Sequence, residues 1–395
     1  MNAGQSVMAR FVLAVGGVLV VLGSIPVIVG PDRLDWIAPL DALFHSSAVG
    51  GALILAALGH LTCSALLASR ERGRLATVHV LVVWVVLISV LQQVVLLAAS
   101  ATRLVDSLAP DESISGEVWA AVSTFRWNFW VADHVLDVPA ELLGLTLFSI
   151  AVQLIALLTV AVLLVPRRWS STLLAIAAAL AVLVVVLLRW RAVDFQDPYL
   201  LSLDTFARSD AFFVGVLVAC VSRRGWRLGP SWSSASALLV VGAVLATSFV
   251  SITQHLAVQL PATALIAGLM MLDDGSEGGD WILRPVVGSR EVEALASSWA
   301  PLVAVAPLAA AVIGRRTEVN WILRVVVLLL VLAIVLRVSR AVAVRVRLPE
   351  RTISVADWGE TWRRVVADAD ADITSGRRGK HARDPESDDG RPPAD

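Results

Sequence analysis

Residues 75–100 read LATVHVLVVWVVLISVLQQVVLLAAS, and not one of these positions is Asp, Glu, Lys or Arg. At ~1.5 Å of rise per residue, a helix of this length outruns the ~30 Å hydrocarbon core of a bilayer. Its sides must meet lipid or other helices, because they offer water almost nothing. Working outward, similar runs recur near 10–30, 43–68, 141–165, 170–190, 205–222, 232–252, 256–272, 294–313 and 320–342. Together they predict an all-α, polytopic membrane protein with about ten transmembrane helices. Composition agrees: hydrophobic residues make up 57% of the 395-residue chain and charged residues only 16%. A soluble domain carries about 25% charged residues, and the mean hydropathy here is +0.77.

The arginines give the orientation. Arg10, then Arg70, Arg72 and Arg74, then Arg167 and Arg168, then Arg223, Arg224 and Arg227 fall on one side of this map. Arg284, Arg290, Arg340, Arg345 and Arg347 fall there too, while Arg315 and Arg316 fall opposite. Cytoplasmic loops carry such an excess, so both termini are expected in the cytoplasm and the protein in the inner (plasma) membrane. The first run follows a short polar start but has no small-residue cleavage site after Gly30, so it reads as a retained span. Residues 1–342 form the expected transmembrane domain. The stretch 343–374, with Trp358 and Trp362, reads as an interfacial amphipathic segment, and 375–395 as a disordered cytoplasmic tail.

Polar residues inside apolar spans are costly to place in lipid and therefore mark sites. Arg208 and Asp210, in SLDTFARSDAFFVGVLVA, stand at the outer entrance of the sixth span. Two positions apart, they can pair with each other, pair with neighbouring helices, or simply fix helix register. Arg189, Arg191 and Arg324 lie near span ends, where they are expected to snorkel. Gln92, Gln93, Gln153 and Gln259 suit hydrogen bonds between helices. The loop near 101–140 holds Trp119, Trp127 and Trp130 among carboxylates and His134, a pattern that fits an interfacial aromatic belt or a sugar-contacting surface. His45 and His60 flank the second span, His79 opens the third, His255 belongs near the outer face and His381 to the tail. Each fits an ordinary packed or interfacial histidine better than a general base.

Much is excluded. There is no basic face for nucleic acid and no HExxH, GxSxG, GxGxxG or Walker pattern. DDGSEGGD reads as a flexible loop. Cys63 and Cys220 sit in apolar runs and read as buried thiols, so neither a metal site nor a disulfide framework is expected.

Several blocks, taken in order, resemble the acyltransferase-3 family of bacterial membrane O-acyltransferases. Arg208, Asp210, Gly215 and Ala219 fit the family's R-x-D-x-x-x-x-G-x-x-x-A pattern. SSAVGGALILAALGHLTCSALLASRERGR is similar to its F-F-V-L-S-G-F-L-I segment and the charged turn after it. FRWNFW, with Asn128, resembles its N-W block, and LFSIAVQLI, with Ser149 and Gln153, its S-L-S-V-E-E-Q-F-Y block. GSREVEALASSWAPL keeps Gly288 and Trp299 of G-R-x-S-Y-x-x-Y-L-W-H-W-P-L. The resemblance covers most of residues 10–340. It implies a ten-helix domain that moves an acyl group, most simply acetyl from acetyl-CoA, to a hydroxyl of a cell-envelope glycan or glycolipid. No bound cofactor is implied; the partners are the lipid bilayer and that acceptor.

The departures bear on chemistry. Ser24, in VVLGS, stands where the family carries an essential histidine, and the family's basic pair at the start of the third span is missing from LATVHVLVVW. Ala151 and Val152 replace the two glutamates, and Ser298 the histidine of W-H-W-P. Loss of a general base alone lowers a rate by ~10²–10⁴. The resemblance therefore implies a weakened or lost activity on a surviving scaffold, with Arg208 and Asp210 organising the site and His45 the nearest substitute base. The competing readings are a non-catalytic scaffold or lipid-handling partner of an envelope pathway and, ranked last for want of an internal repeat, a transporter.

Overall fold

A computed structural model describes residues 3–29, 46–106, 114–134, 142, 144–193, 205–228, 231–249, 251, 254–272, 284–315 and 319–345. His45 and the two C-terminal segments expected beyond residue 342 lie outside these, apart from the last turn of the final helix. Among the described residues the protein is all-helical, without a strand. The principal helices are α1 (Ala3–Leu22), α2 (Ser47–Arg72), α3 (Arg74–Asp106), α4 (Gly116–Ser123), α5 (Trp127–Asp133), α6 (Leu145–Leu164) and α7 (Ser170–Ala192). They continue as α8 (Thr205–Ser222), α9 (Ser231–Ala246), α10 (Leu260–Met271), α11 (Arg290–Ser297), α12 (Trp299–Gly314) and α13 (Trp321–Arg345).

Among the described residues, seven helices are long and apolar enough to cross a membrane, and an eighth span results if α11 and α12, bent by 68° at Ser298, are taken together. This is a multi-pass membrane protein. The two other expected spans are shorter apolar helices, Ser234–Ala246 and His255–Met271. Irregular turns cut them: α9 runs into a 3₁₀ turn at Thr247–Phe249, and α10 is preceded by a π-turn at His255–Gln259.

Helix α2 is the centre of the bundle, packed against α1, α3, α6, α8 and α10. Burial separates inner from outer helices: 78% of the α2 span is buried inside the protein, against 22% for α3 and α7 and 11% for α13. The outer helices show why in their sequence, since Leu and Val surround them on all sides and no polar face remains to mark an inward stripe. Small residues set the central contacts. A Cβ at Gly50 would lie 2.6 Å from the Gly16 carbonyl oxygen, where α1 crosses α2. At the α2–α8 crossing, a Cβ at Gly59 would overlap the Phe212 carbonyl and one at Gly215 the Ala56 carbonyl. Such close approach replaces the hydrophobic drive that lipid removes, because association in a bilayer rests on van der Waals packing.

Helices α2 and α8 run side by side in the same sense, from the Gly51–Arg208 contact to the Cys63–Cys220 contact, and so define two ends. The turns at Arg70–Arg74, Val165–Ser170 and Arg223 meet at one end through hydrogen bonds from Arg70 to the Val165 carbonyl and from Arg167 to the Glu71 carbonyl. Ser24, Ser47, Gly144 and Arg208 meet at the other.

Candidate functional site

Asp210 lies in the second turn of α8, which buries Ser209, Asp210, Ala211 and Phe212 in succession. Its partner is Arg189, in the last turn of α7, which donates to Asp210 Oδ2; both side chains are almost fully buried. Arg189 was expected to snorkel, and the structure corrects this: the α7–α8 packing turns its guanidinium inward. A carboxylate within the bundle has no water to solvate it, so a buried cation is the compensation its ionised form needs. Arg324 does not snorkel freely either, because Nη1 donates to the Gly314 carbonyl at 3.2 Å and ties α13 to the end of α12. Arg191 is exposed, as expected.

With Asp210 engaged by Arg189, Arg208 points elsewhere. Its guanidinium rests on α2 at Gly51, where a Cβ would come within 2.8 Å of Nη2. Here it enters a cavity of 310 Å³ lined also by Ser24, Ser47, Thr146 and Pro307. Among the described residues that line it, Arg208 is the one that carries a charge. A guanidinium among hydroxyls presents donors to a carbonyl, carboxylate or polyol oxygen. Ser24 is buried, and its Oγ is 3.3 Å from the Val20 carbonyl. Two positions singled out by separate sequence blocks, Ser24 and Arg208, thus share one cavity.

One turn before Arg208, Thr205 closes a ring of polar side chains. Its Oγ1 donates to Gln153 Oε1 at 2.5 Å and accepts from Asn128 Nδ2 at 2.8 Å. Gln153 Nε2 reaches Asn128 Oδ1 at 3.0 Å and the Phe125 carbonyl at 2.6 Å. Phe125 has φ +57°, a left-handed conformation that a non-glycine residue adopts only when its surroundings compensate. This ring joins the α4–α5 turn, α6 and the start of α8, and so fixes where Arg208 begins its reach. Gln153 was expected to link helices, and it does. Gln259 does likewise, bonding the Ala243 carbonyl and Thr247 Oγ1.

Three of the described histidines, His60, His134 and His255, are packing groups. His60 is buried at the α2–α8 crossing; His255 Nδ1 lies 2.6 Å from Gln259 Oε1; His134 stacks on Trp130 at 4.3 Å. None of them lines the Arg208 cavity. Trp127 is fully buried and donates Nε1–H to the Leu142 carbonyl at 3.0 Å, so it is a core residue, not part of an exposed aromatic belt. Trp299 is buried against Phe148 with ring centroids 5.7 Å apart, beside buried Ser298 at the α11–α12 bend. Among the described residues no group of three His, Cys, Asp or Glu side chains gathers to hold a metal ion.

Sequence reading missed Arg189 as the partner of Asp210 and Thr146 and Ser47 as cavity hydroxyls. Nothing in an apolar run ending RWR distinguishes a buried arginine from an exposed one two positions later. No family model, no curated protein and no solved structure matches this chain.

Proposed function

We propose that the protein is an acyltransferase-3-like integral membrane protein of the inner membrane, with both termini cytoplasmic, whose Arg208 cavity receives a hydroxylated acceptor of the cell envelope, a glycan or glycolipid. The observation that carries this reading is the pairing of Asp210 with Arg189, which leaves the Arg208 guanidinium facing Ser24 and Thr146 in a cavity. In acyl transfer from acetyl-CoA or another acyl-CoA, Arg208 would orient the acceptor or stabilise the oxyanion of the tetrahedral intermediate, and a base would take the hydroxyl proton. His45 is the candidate base, just before Ser46 and Ser47 in the chain. Asp210 is a positioning residue in this scheme, since its carboxylate is committed to Arg189.

A second reading, a non-catalytic binding protein of an envelope pathway, is favoured by one feature: Ser24 stands in the cavity where the resemblance puts a base. The test is acetyl-CoA binding and turnover by detergent-purified protein, with Arg208→Ala and His45→Ala beside wild type. Turnover lost in both variants supports the enzyme. Folded wild-type protein without turnover or acyl-CoA binding sinks it and leaves the binding protein.

A further inference from the structure

The opposite end of the bundle holds a second cavity, of 420 Å³, lined by Leu67, Arg70, Glu71, Arg167, Ser170, Ser171 and Arg223. Three guanidiniums face it and one carboxylate. Each arginine is held by one bond: Arg70 to the Val165 carbonyl, Arg167 to the Glu71 carbonyl, and Arg223 to the Glu71 carboxylate. A guanidinium carries five N–H donors, so this anchoring fixes each fork and leaves most of its donors for something else. Arg70 Nη1 is buried without a hydrogen-bond partner. Ser170 and Ser171 add hydroxyl groups at the first turn of α7, the positive end of that helix's dipole.

We propose that this cavity is a binding site for a phosphate group, carried by a membrane phospholipid headgroup or by a soluble phosphorylated ligand. Planar guanidinium forks converging from three chain segments match the tetrahedral oxygens of phosphate, and a carbonyl or sugar would not require so much charge. Glu71 has its carboxylate tied to Arg223, and so competes with the ligand for that fork. Trp169, next to Ser170 in the chain, and Trp226, three residues after Arg223, are both more than half exposed. Tryptophans so placed settle at the headgroup level of a bilayer, which puts lipid phosphates within reach of the cavity. The inference does not depend on acyl transfer at the other end.

The test uses the full chain in dodecyl maltoside micelles, which carry no phosphate. One arm titrates inorganic pyrophosphate by calorimetry; the other adds phosphatidylglycerol to the micelles and counts lipid adducts retained in native mass spectrometry. Arg167→Gln should weaken binding about tenfold, the loss of one charge-assisted contact. Glu71→Gln should tighten it, because a competing anion is removed. Pyrophosphate binding with this pattern supports a soluble ligand, and retained phosphatidylglycerol with this pattern supports a headgroup. Binding in neither arm, or binding that both variants leave unchanged, overturns the proposal. Circular dichroism of each variant checks the fold, and the opposite sign expected of Glu71→Gln cannot come from unfolding.

Discussion

Arg189 and Asp210 are 21 positions apart in the chain, yet they form the buried ion pair that joins α7 to α8. Removing one member would leave a charge stranded in the bundle. Arg189→Met or Asp210→Leu alone should destabilise the protein by ~3–5 kcal/mol, and the double substitution by clearly less. Denaturant unfolding of the three variants as a double-mutant cycle measures this, and equal, additive losses would show that the pair is not coupled.

Arg208 behaves differently because it faces a cavity. Arg208→Gln should abolish acceptor or acyl-CoA binding while shifting the midpoint of thermal unfolding far less than Asp210→Leu does. Gly51→Val should mimic the binding defect with Arg208 intact, since even a Cβ there comes within 2.8 Å of Nη2. A Gly51→Val protein that folds and binds normally would mean the guanidinium does not rest where α2 leaves room for it.

The Asn128–Gln153–Thr205 ring predicts a stability effect with a signature. Gln153→Leu removes one hydrogen bond each from Thr205 Oγ1, Asn128 Oδ1 and the Phe125 carbonyl at once. Each buried group left unsatisfied costs ~1–3 kcal/mol. Hydrogen exchange should report the loss first in the α4–α5 turn and at the start of α8, before the rest of the bundle opens.

Cys63 on α2 and Cys220 on α8 place their sulfurs 3.8 Å apart in the interior. A membrane-permeant oxidant should cross-link them within the wild-type chain, read by mass spectrometry of a digest. Gly215→Leu would push α8 off the Ala56 carbonyl and should both slow that cross-link and lower the unfolding temperature. Rapid cross-linking in Gly215→Leu would mean the two helices do not cross at this glycine.

Apolar run length made the membrane-spanning class legible in the sequence, because ~20 residues without charge have few alternatives to lipid. Arg208 and Asp210 stood out as ionisable groups in such a run, and the roles of Gln153 and Gln259 followed from the cost of an unbonded amide there, whereas Gln92 is buried with neither amide atom bonded and departs from that expectation. The sequence was silent on how far each span extends. The breaks at Ala246, His255 and Ser298 come from local 3₁₀, π and bent geometry that hydrophobicity does not encode.

The sequence by itself determined that these helices exist, that they lie in lipid and that the charges within them need partners. Only the tertiary structure decided which partners. Asp210 takes Arg189 and not Arg208, two residues away, because neighbouring positions on a helix point in different directions while packing brings α7 alongside α8. That choice, made by helix packing and small-residue contacts, turns Arg208 toward Ser24 and opens the site.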